Sequence, residues 1–108
     1  MKVIFRITRE ILRQINSDLK RPHPFALERV GFIFVRLGTI DEGLLLLVSG
    51  YQSVQDEHYV RAKKGDYAGA IINRYAITEA MQRALNNEEG VFHVHVHMHD
   101  FGINCAEF

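Results

Sequence analysis

The sequence of 108 residues contains one cysteine, two prolines and no tryptophan. A single cysteine cannot form a disulfide within the chain, which is typical of a protein that works in a reducing compartment. The 13 Lys and Arg residues balance the 13 Asp and Glu residues. The chain therefore lacks the basic excess expected of a protein that binds nucleic acid or a membrane surface.

Long hydrophobic segments are also absent. The longest apolar run, residues 44–48, is far too short to span a bilayer. Charged residues at positions 2, 6, 9 and 10 break any signal-peptide core. These absences predict a cytoplasmic protein with neither a nucleic-acid nor a membrane partner. The length predicts one domain, residues 1–108, that buries about 60–70% of the surface of its unfolded chain.

Hydrophobic periodicity predicts two helices and three or four strands. Thr8 and an apolar residue at every fourth position from Ile7 to Leu19 predict a helix over 8–20. Residues 28–37 predict a strand buried on both faces, 38–43 a hairpin turn and 44–49 the returning strand. A short strand is expected near 58–61, a turn at 63–66, and a strand over 91–99. The class is therefore α/β (α+β).

The second helix, over 71–86, is expected to bury one side that combines large and small apolar residues. Those residues are Ile71, Tyr75, Thr78, Ala80, Met81, Ala84 and Leu85. Gly31, inside the first predicted strand, is expected to allow close approach of another backbone. The loop carboxylates are expected to be solvated: Asp41, Glu42, Asp56, Glu57, Glu88 and Glu89.

Four of the six histidines fall within seven residues, at positions 93, 95, 97 and 99. Successive side chains of a strand point to opposite faces, so these four share one face, and Phe92, Val94, Val96 and Met98 share the other. Same-face neighbours lie about 6.5–7 Å apart along a strand. Two imidazoles at that spacing can converge on one zinc ion. A polar strand face without a metal is the alternative interpretation.

Metal chemistry usually adds a carboxylate, as a ligand or as a proton carrier. Glu28 opens the most apolar strand of the chain and is the candidate, although a charge at a strand end is also ordinary on a protein surface. Cys105 follows the histidines and is either a thiolate ligand or a small uncharged residue.

This arrangement resembles the JAB/MPN (JAMM) metalloprotease family of the bacterial type. The family pattern is a Glu at the start of an early strand, then His-x-His and Ser-x-x-Asp. Glu28 in ALERVGFIFVRLG and the histidines in GVFHVHVHMHDFG match the first two parts, and the segments RALNNEEG, GLLLLVSGYQSV and DEHYV also look like the family's. The resemblance implies a cytidine-deaminase-like mixed sheet flanked by helices.

The resemblance also implies the site residues. His97 and His99 are the favoured metal pair, with His95 and His97 as the alternative register, and Glu28 as the catalytic proton carrier. Counting from His97 puts Cys105 at the Ser position and Phe108 at the Asp position, where Phe cannot bind metal. With a longer loop, both positions would fall beyond 108. The domain is therefore expected either to be incomplete at its carboxyl end or to be a variant without the third ligand. Asp100, Glu107, Cys105 or a neighbouring chain could substitute.

By this resemblance the chain is a zinc-dependent isopeptidase or peptidase, deubiquitinase-like, that acts on the tail of a ubiquitin-like or other protein. Without a third ligand it would be inactive. The alternative is a non-catalytic MPN scaffold that dimerises through an exposed sheet edge or binds a partner protein. A cupin-like oxygenase is disfavoured, because no Glu follows either histidine pair at the required spacing.

Overall fold

The computed structural model describes residues 2–22, 29–60, 72–96 and 106–107, with positions 96, 106 and 107 described by their backbone alone. The strands are β1 (Lys2–Arg6), β2 (Val30–Ile40), β3 (Gly43–Ser53), β4 (Gly90–Val96) and β5 (Ala106–Glu107). The helices are α1 (Arg9–Leu19) and α2 (Arg74–Asn87), with a 3-10 turn at Asp56–His58. The prediction of a mixed α/β chain is confirmed.

The five strands form one sheet in the order β1-β3-β2-β4-β5. Strand β1 runs parallel to β3, and every other pair is antiparallel. Strand β1 was not predicted, because five residues with Lys2 and Arg6 at their ends give a weak apolar pattern. Strand β1 lies at an edge of the sheet, and an edge strand tolerates charged side chains.

Helix α1 begins and ends as its sequence predicts. The Thr8 side chain accepts a hydrogen bond of 3.2 Å from the Ile11 amide and so caps the first turn. Ile15 and Leu19 are buried, and Ile7 and Ile11 pack beside them. This apolar stripe attaches the helix to the sheet.

The two helices cover opposite faces of the sheet. Ile33 and Val35 of β2 pack with α1, whereas Val30, Phe32 and Phe34 pack with α2. Alternate residues of one strand thus meet different helices, as expected for a strand buried on both faces. The prediction for this strand is confirmed over residues 30–35, which are all buried.

Helix α2 buries only part of the predicted side: Ala80 and Ala84 are buried as expected, Thr78 is exposed, and Ile71 lies outside the described residues. Its buried residues are the alanines Ala76, Ala80 and Ala84. Tyr75, Met81 and Leu85 were expected to be buried but are 61%, 50% and 73% exposed. These small alanines pack in one cluster with Phe32 and Phe34, so the sheet supplies the bulk at this contact.

The loops agree with the prediction in part. The β2–β3 hairpin turns at Asp41 and Glu42, inside the predicted turn, and a β-bulge lies at Phe34/Val35. In place of the short strand near 58–61, the structure has the 3-10 turn and an isolated bridge between Tyr59 and Ile72. The turn predicted at 63–66 lies outside the described residues. No helix in the described ranges is long and apolar enough to cross a membrane.

Candidate metal site on strand β4

Strand β4 places its histidines on the α2 side of the sheet. His93 lies opposite Phe32 and His95 opposite Val30, and both of these β2 residues belong to the core beneath α2. Val94 is fully buried in the core beneath α1. The predicted alternation of histidine and apolar residues is therefore confirmed for positions 93–95.

Phe92 departs from that pattern. It was expected to pack in the core with Val94, yet it is 39% exposed. It lies opposite Ile33, which is completely buried. Alternation thus assigns Phe92 to the α1 face of the sheet, but the burial there is much shallower than at Val94.

The rings of His93 and His95 stack at a centroid distance of 5.6 Å and an interplanar angle of 18°. His93 is exposed and His95 is half-buried. Neighbouring same-face histidines on this strand therefore bring their rings side by side. Two imidazoles supply two of the three protein ligands that a hydrolytic zinc site uses.

The pair does not by itself complete a metal site. Among the residues that the structure describes, no group of three or more His, Cys, Asp or Glu side chains is arranged to hold a metal ion. Of the predicted site residues only His95 is described, whereas Glu28, His97 and His99 lie outside the described residues. The substitute ligands Asp100 and Cys105 lie outside them too.

Strand β5 brings one further candidate to this strand. Its two residues pair with the end of β4, with Glu107 opposite His95 and Ala106 opposite Val96. The sequence predicted Glu107 only as one possible substitute for the third metal ligand. The backbone register now places that position beside a predicted metal-binding histidine.

Val30 and His95 form a pair without hydrogen bonds between them. The Val30 amide donates to the Tyr59 hydroxyl at 2.7 Å, and that hydroxyl donates to the Val30 carbonyl at 3.0 Å. The amide and the carbonyl of one residue in an antiparallel strand point to the same side of the strand. Because those of Val30 bond to Tyr59, they point away from β4. In such a pair the Cα atoms approach to about 4.5 Å and the side chains lie close together.

Arg29 fixes the chain immediately before β2. Its side chain is 3% exposed, and it donates to the carbonyls of Arg21 and Pro22 at 3.1 and 2.7 Å and to Asp56 at 2.7 Å. The guanidinium thus links Arg21 and Pro22, which precede residues 23–28, to Arg29, which follows them. Arg29 was not singled out in the sequence, where the only signal is an Arg at the start of an apolar strand.

A second polar cluster surrounds Glu89, at the other end of β4. The side chain is 3% exposed, accepts a hydrogen bond from Ser49, and has the guanidinium nitrogens of Arg83 and Arg36 at 3.6 and 3.8 Å. The expectation that Glu89 is a solvated loop charge is therefore wrong. It is right for Glu88, which is exposed.

A third polar cluster joins the end of α1 to β3. Asp18 accepts hydrogen bonds from Tyr51 and from Ser53, the latter at 2.7 Å, and Arg21 lies 2.6 Å from it. Burial first, and then the hydrogen bond to Asp18, raise the pKa of Tyr51 far above its ordinary value. The cluster orients the helix end from which the 23–28 segment departs.

Comparison with protein families, with the sequences of curated proteins and with solved structures gives no match for this chain. The likeness to JAB/MPN proteins therefore depends on the sequence segments quoted above. The described geometry shows the shared face of His93 and His95 and the β2–β4 register, neither of which identifies a family.

Proposed function

We propose that this chain is a metal-dependent hydrolase domain of the JAB/MPN type, with zinc held by the histidines of β4. The observation that carries the proposal is the register in which His95 lies opposite Val30. The pairing runs without a shift from Val35–Gly90 to Val30–His95. The same register, carried on by two residues, would pair position 28 with position 97.

That register supports the division of roles. If the register continues by two residues, Glu28 and His97 would be same-face neighbours across two antiparallel strands, within reach of one bound water. In the proposal His97 and His99 are the metal ligands, and His95 and His97 are the alternative pair. Imidazole nitrogen is a preferred zinc ligand, and the side-by-side rings of His93 and His95 on this strand support the proposal.

The proposed chemistry is peptide or isopeptide hydrolysis. When bound, zinc lowers the pKa of a ligated water to about 7. Glu28 accepts a proton from the attacking water and returns it to the leaving amine. The proposed substrate is the extended tail of a ubiquitin-like or other protein, and the cytidine-deaminase-like fold belongs to the same proposal.

The third ligand is the open part of the site. Of the candidates within the chain, Asp100, Cys105 and Glu107, only Glu107 lies in a strand that the structure describes. Its pairing with His95 makes it the first substitute to test. In a complete site it would supply the carboxylate, and without one the domain would bind metal weakly and be inactive.

The test combines zinc content with hydrolysis, on protein purified without a histidine tag. We expect His97→Ala to lose zinc and activity, and Glu28→Gln to keep zinc and lose activity, because Glu28 carries the proton and does not bind the metal. His93→Ala is the matched control, since His93 is outside both proposed pairs, and it should keep both. Zinc retained in H97A, or lost in H93A, would overturn the assignment.

The alternative function is a non-catalytic scaffold that pairs through a sheet edge. It is favoured by one observation, the exposed apolar side chains of edge strand β1, where Val3 is 53% and Phe5 42% exposed. An apolar edge strand invites pairing with another chain. A protein without zinc and without activity, which binds a partner that Phe5→Glu releases, would support this alternative.

A further inference from the structure

Helix α2 leaves an apolar stripe on its outer side. Ile77, Met81 and Leu85 follow one another at four-residue spacing and are 46%, 50% and 73% exposed. The buried alanines occupy a different side of the same helix. An exposed stripe of large apolar residues at this spacing is the usual form of a helix-packing surface.

The stripe is symmetric about Met81. Ile77 and Leu85 lie four residues before and after it, and two opposite charges, Arg74 and Glu88, lie seven residues before and after it. Seven residues are nearly two helical turns, so Arg74 lies in line with the stripe at its amino end, whereas Glu88 follows the helix in the left-handed conformation. Both are exposed, and Glu88 is the cap residue at the carboxyl end of the helix.

This symmetry has a consequence for pairing with a second copy. When two identical helices pack antiparallel about a two-fold axis at Met81, residues equally far before and after that position meet. Ile77 then meets Leu85 of the other copy, and Arg74 meets Glu88 of the other copy. The surface is therefore complementary to an identical surface in both its apolar and its charged contacts.

We propose that this face of α2 binds the same face of a second copy of this chain, in an antiparallel pair centred on Met81. The arrangement of charge favours a second copy over an unrelated partner, because only self-pairing requires opposite charges at equal distances from the centre. The proposal is independent of the metal site.

Sedimentation equilibrium over a range of protein concentrations, in EDTA to prevent bridging by metal ions, tests this surface. We expect a dimer whose dissociation constant rises at least about tenfold in Met81→Glu, because the substitution places two carboxylates together at the axis. Leu12→Glu is the matched control. Leu12 is 43% exposed but lies on α1, on the opposite face of the sheet, so its substitution should leave the dimer unchanged.

Charge reversal tests the register of the pair. Arg74→Glu and Glu88→Arg should each weaken the dimer about two- to fivefold, and the two together should restore it. Circular dichroism of each variant checks that the helix is retained. A monomer at all concentrations, a dimer insensitive to M81E, or a double variant weaker than both single variants would overturn the proposal. A dimer disrupted by Phe5→Glu alone would assign the contact to the sheet edge instead.

Discussion

Val30 and His95 lie opposite each other as a pair without hydrogen bonds between β2 and β4, and the Tyr59 hydroxyl occupies both backbone groups of Val30. This contact joins the beginning of one strand to the histidine-rich end of another, 65 positions later in the chain. Position 28 lies two residues before Val30, and position 97 lies two residues after His95. The proposed metal chemistry depends on the continuation of this register.

The histidine register gives the first prediction. If His97 and His99 bind zinc, His99→Ala should weaken zinc affinity about 100-fold or more, and His95→Ala should leave it within a few-fold of the original. The opposite result would assign the pair to His95 and His97. Competition with a chromophoric zinc chelator measures both variants, and equal retention in both would contradict a site built on either pair.

Arg29 gives a prediction of stability. Arg29→Met should lower the free energy of unfolding by about 2–3 kcal/mol, because it removes the buried donor to the carbonyls of Arg21 and Pro22. Asp56→Asn is the matched control. It keeps those two bonds and removes the charge of a carboxylate that is 51% exposed, so it should cost less than Arg29→Met. Urea unfolding that gives equal losses would contradict the role of the backbone bonds.

The absence of a side chain at Gly31 was expected to allow close approach of another backbone. The close neighbour is instead the side chain of Tyr51. A methyl group at this position would overlap the hydroxyl and ring of Tyr51. Gly31→Ala should therefore destabilise the protein by about 1–3 kcal/mol. Gly38→Ala should be tolerated, since its nearest neighbour would be Leu45 Cβ at 3.6 Å. In a Tyr51→Ala background the cost of G31A should largely disappear, and persistence of the full cost would contradict the contact.

The buried tyrosines predict a loss of stability in alkali. Burial raises the pKa of Tyr51 and Tyr59 above 10.0, their ordinary value. A raised folded pKa means that the folded state keeps its protons when the unfolded state releases them. The resulting stabilisation is complete below about pH 10 and is lost as the pH rises through the folded pKa values. Urea unfolding between pH 8 and 11 should show this fall, and Tyr51→Phe should make it shallower. An identical slope in both proteins would contradict the assignment to Tyr51.

Glu88 is the one residue other than glycine with a positive φ in the described part of the chain, at φ 54° and ψ 45°. This conformation ends α2 but is strained for a residue with a Cβ atom. In the Met81→Glu background, where the proposed contact with a second copy is weakened, Glu88→Gly should raise the free energy of unfolding by about 0.5–1 kcal/mol. Glu88→Ala removes the same charge and keeps the strain, so thermal unfolding should show a smaller gain. A larger gain in E88A would mean that the charge of Glu88, and not its backbone conformation, destabilises the folded state.

Local patterns predicted the elements whose causes are local. Thr8 and the four-residue spacing to Leu19 are enough to define α1, and the apolar run of β2 is enough to predict its burial. The buried side of α2 could be predicted only in part in this way. Its alanines are buried because Phe32 and Phe34 fill the space beneath them, and that contact joins residues more than 40 positions apart.

The features of the candidate site also fall into those that depend on one strand and those that depend on the whole sheet. Strand alternation predicted that His93 and His95 share a face, because it is a property of one strand. The pairing of β2 with β4 depends on the whole sheet, as do the burial of Glu89 beneath Ser49 and the clamp formed by Arg29. Buried polar groups such as these carry no periodic signal in a single sequence.

The most direct measurement is the zinc content of the unsubstituted, tag-free chain, determined by mass spectrometry of the element after dialysis against metal-free buffer. With Glu107 or another group as the third ligand, we expect close to one zinc ion per chain, released by His97→Ala and retained by His93→Ala. A chain that holds no zinc after exposure to it, or that holds zinc equally well in both variants, would contradict the proposed metal site.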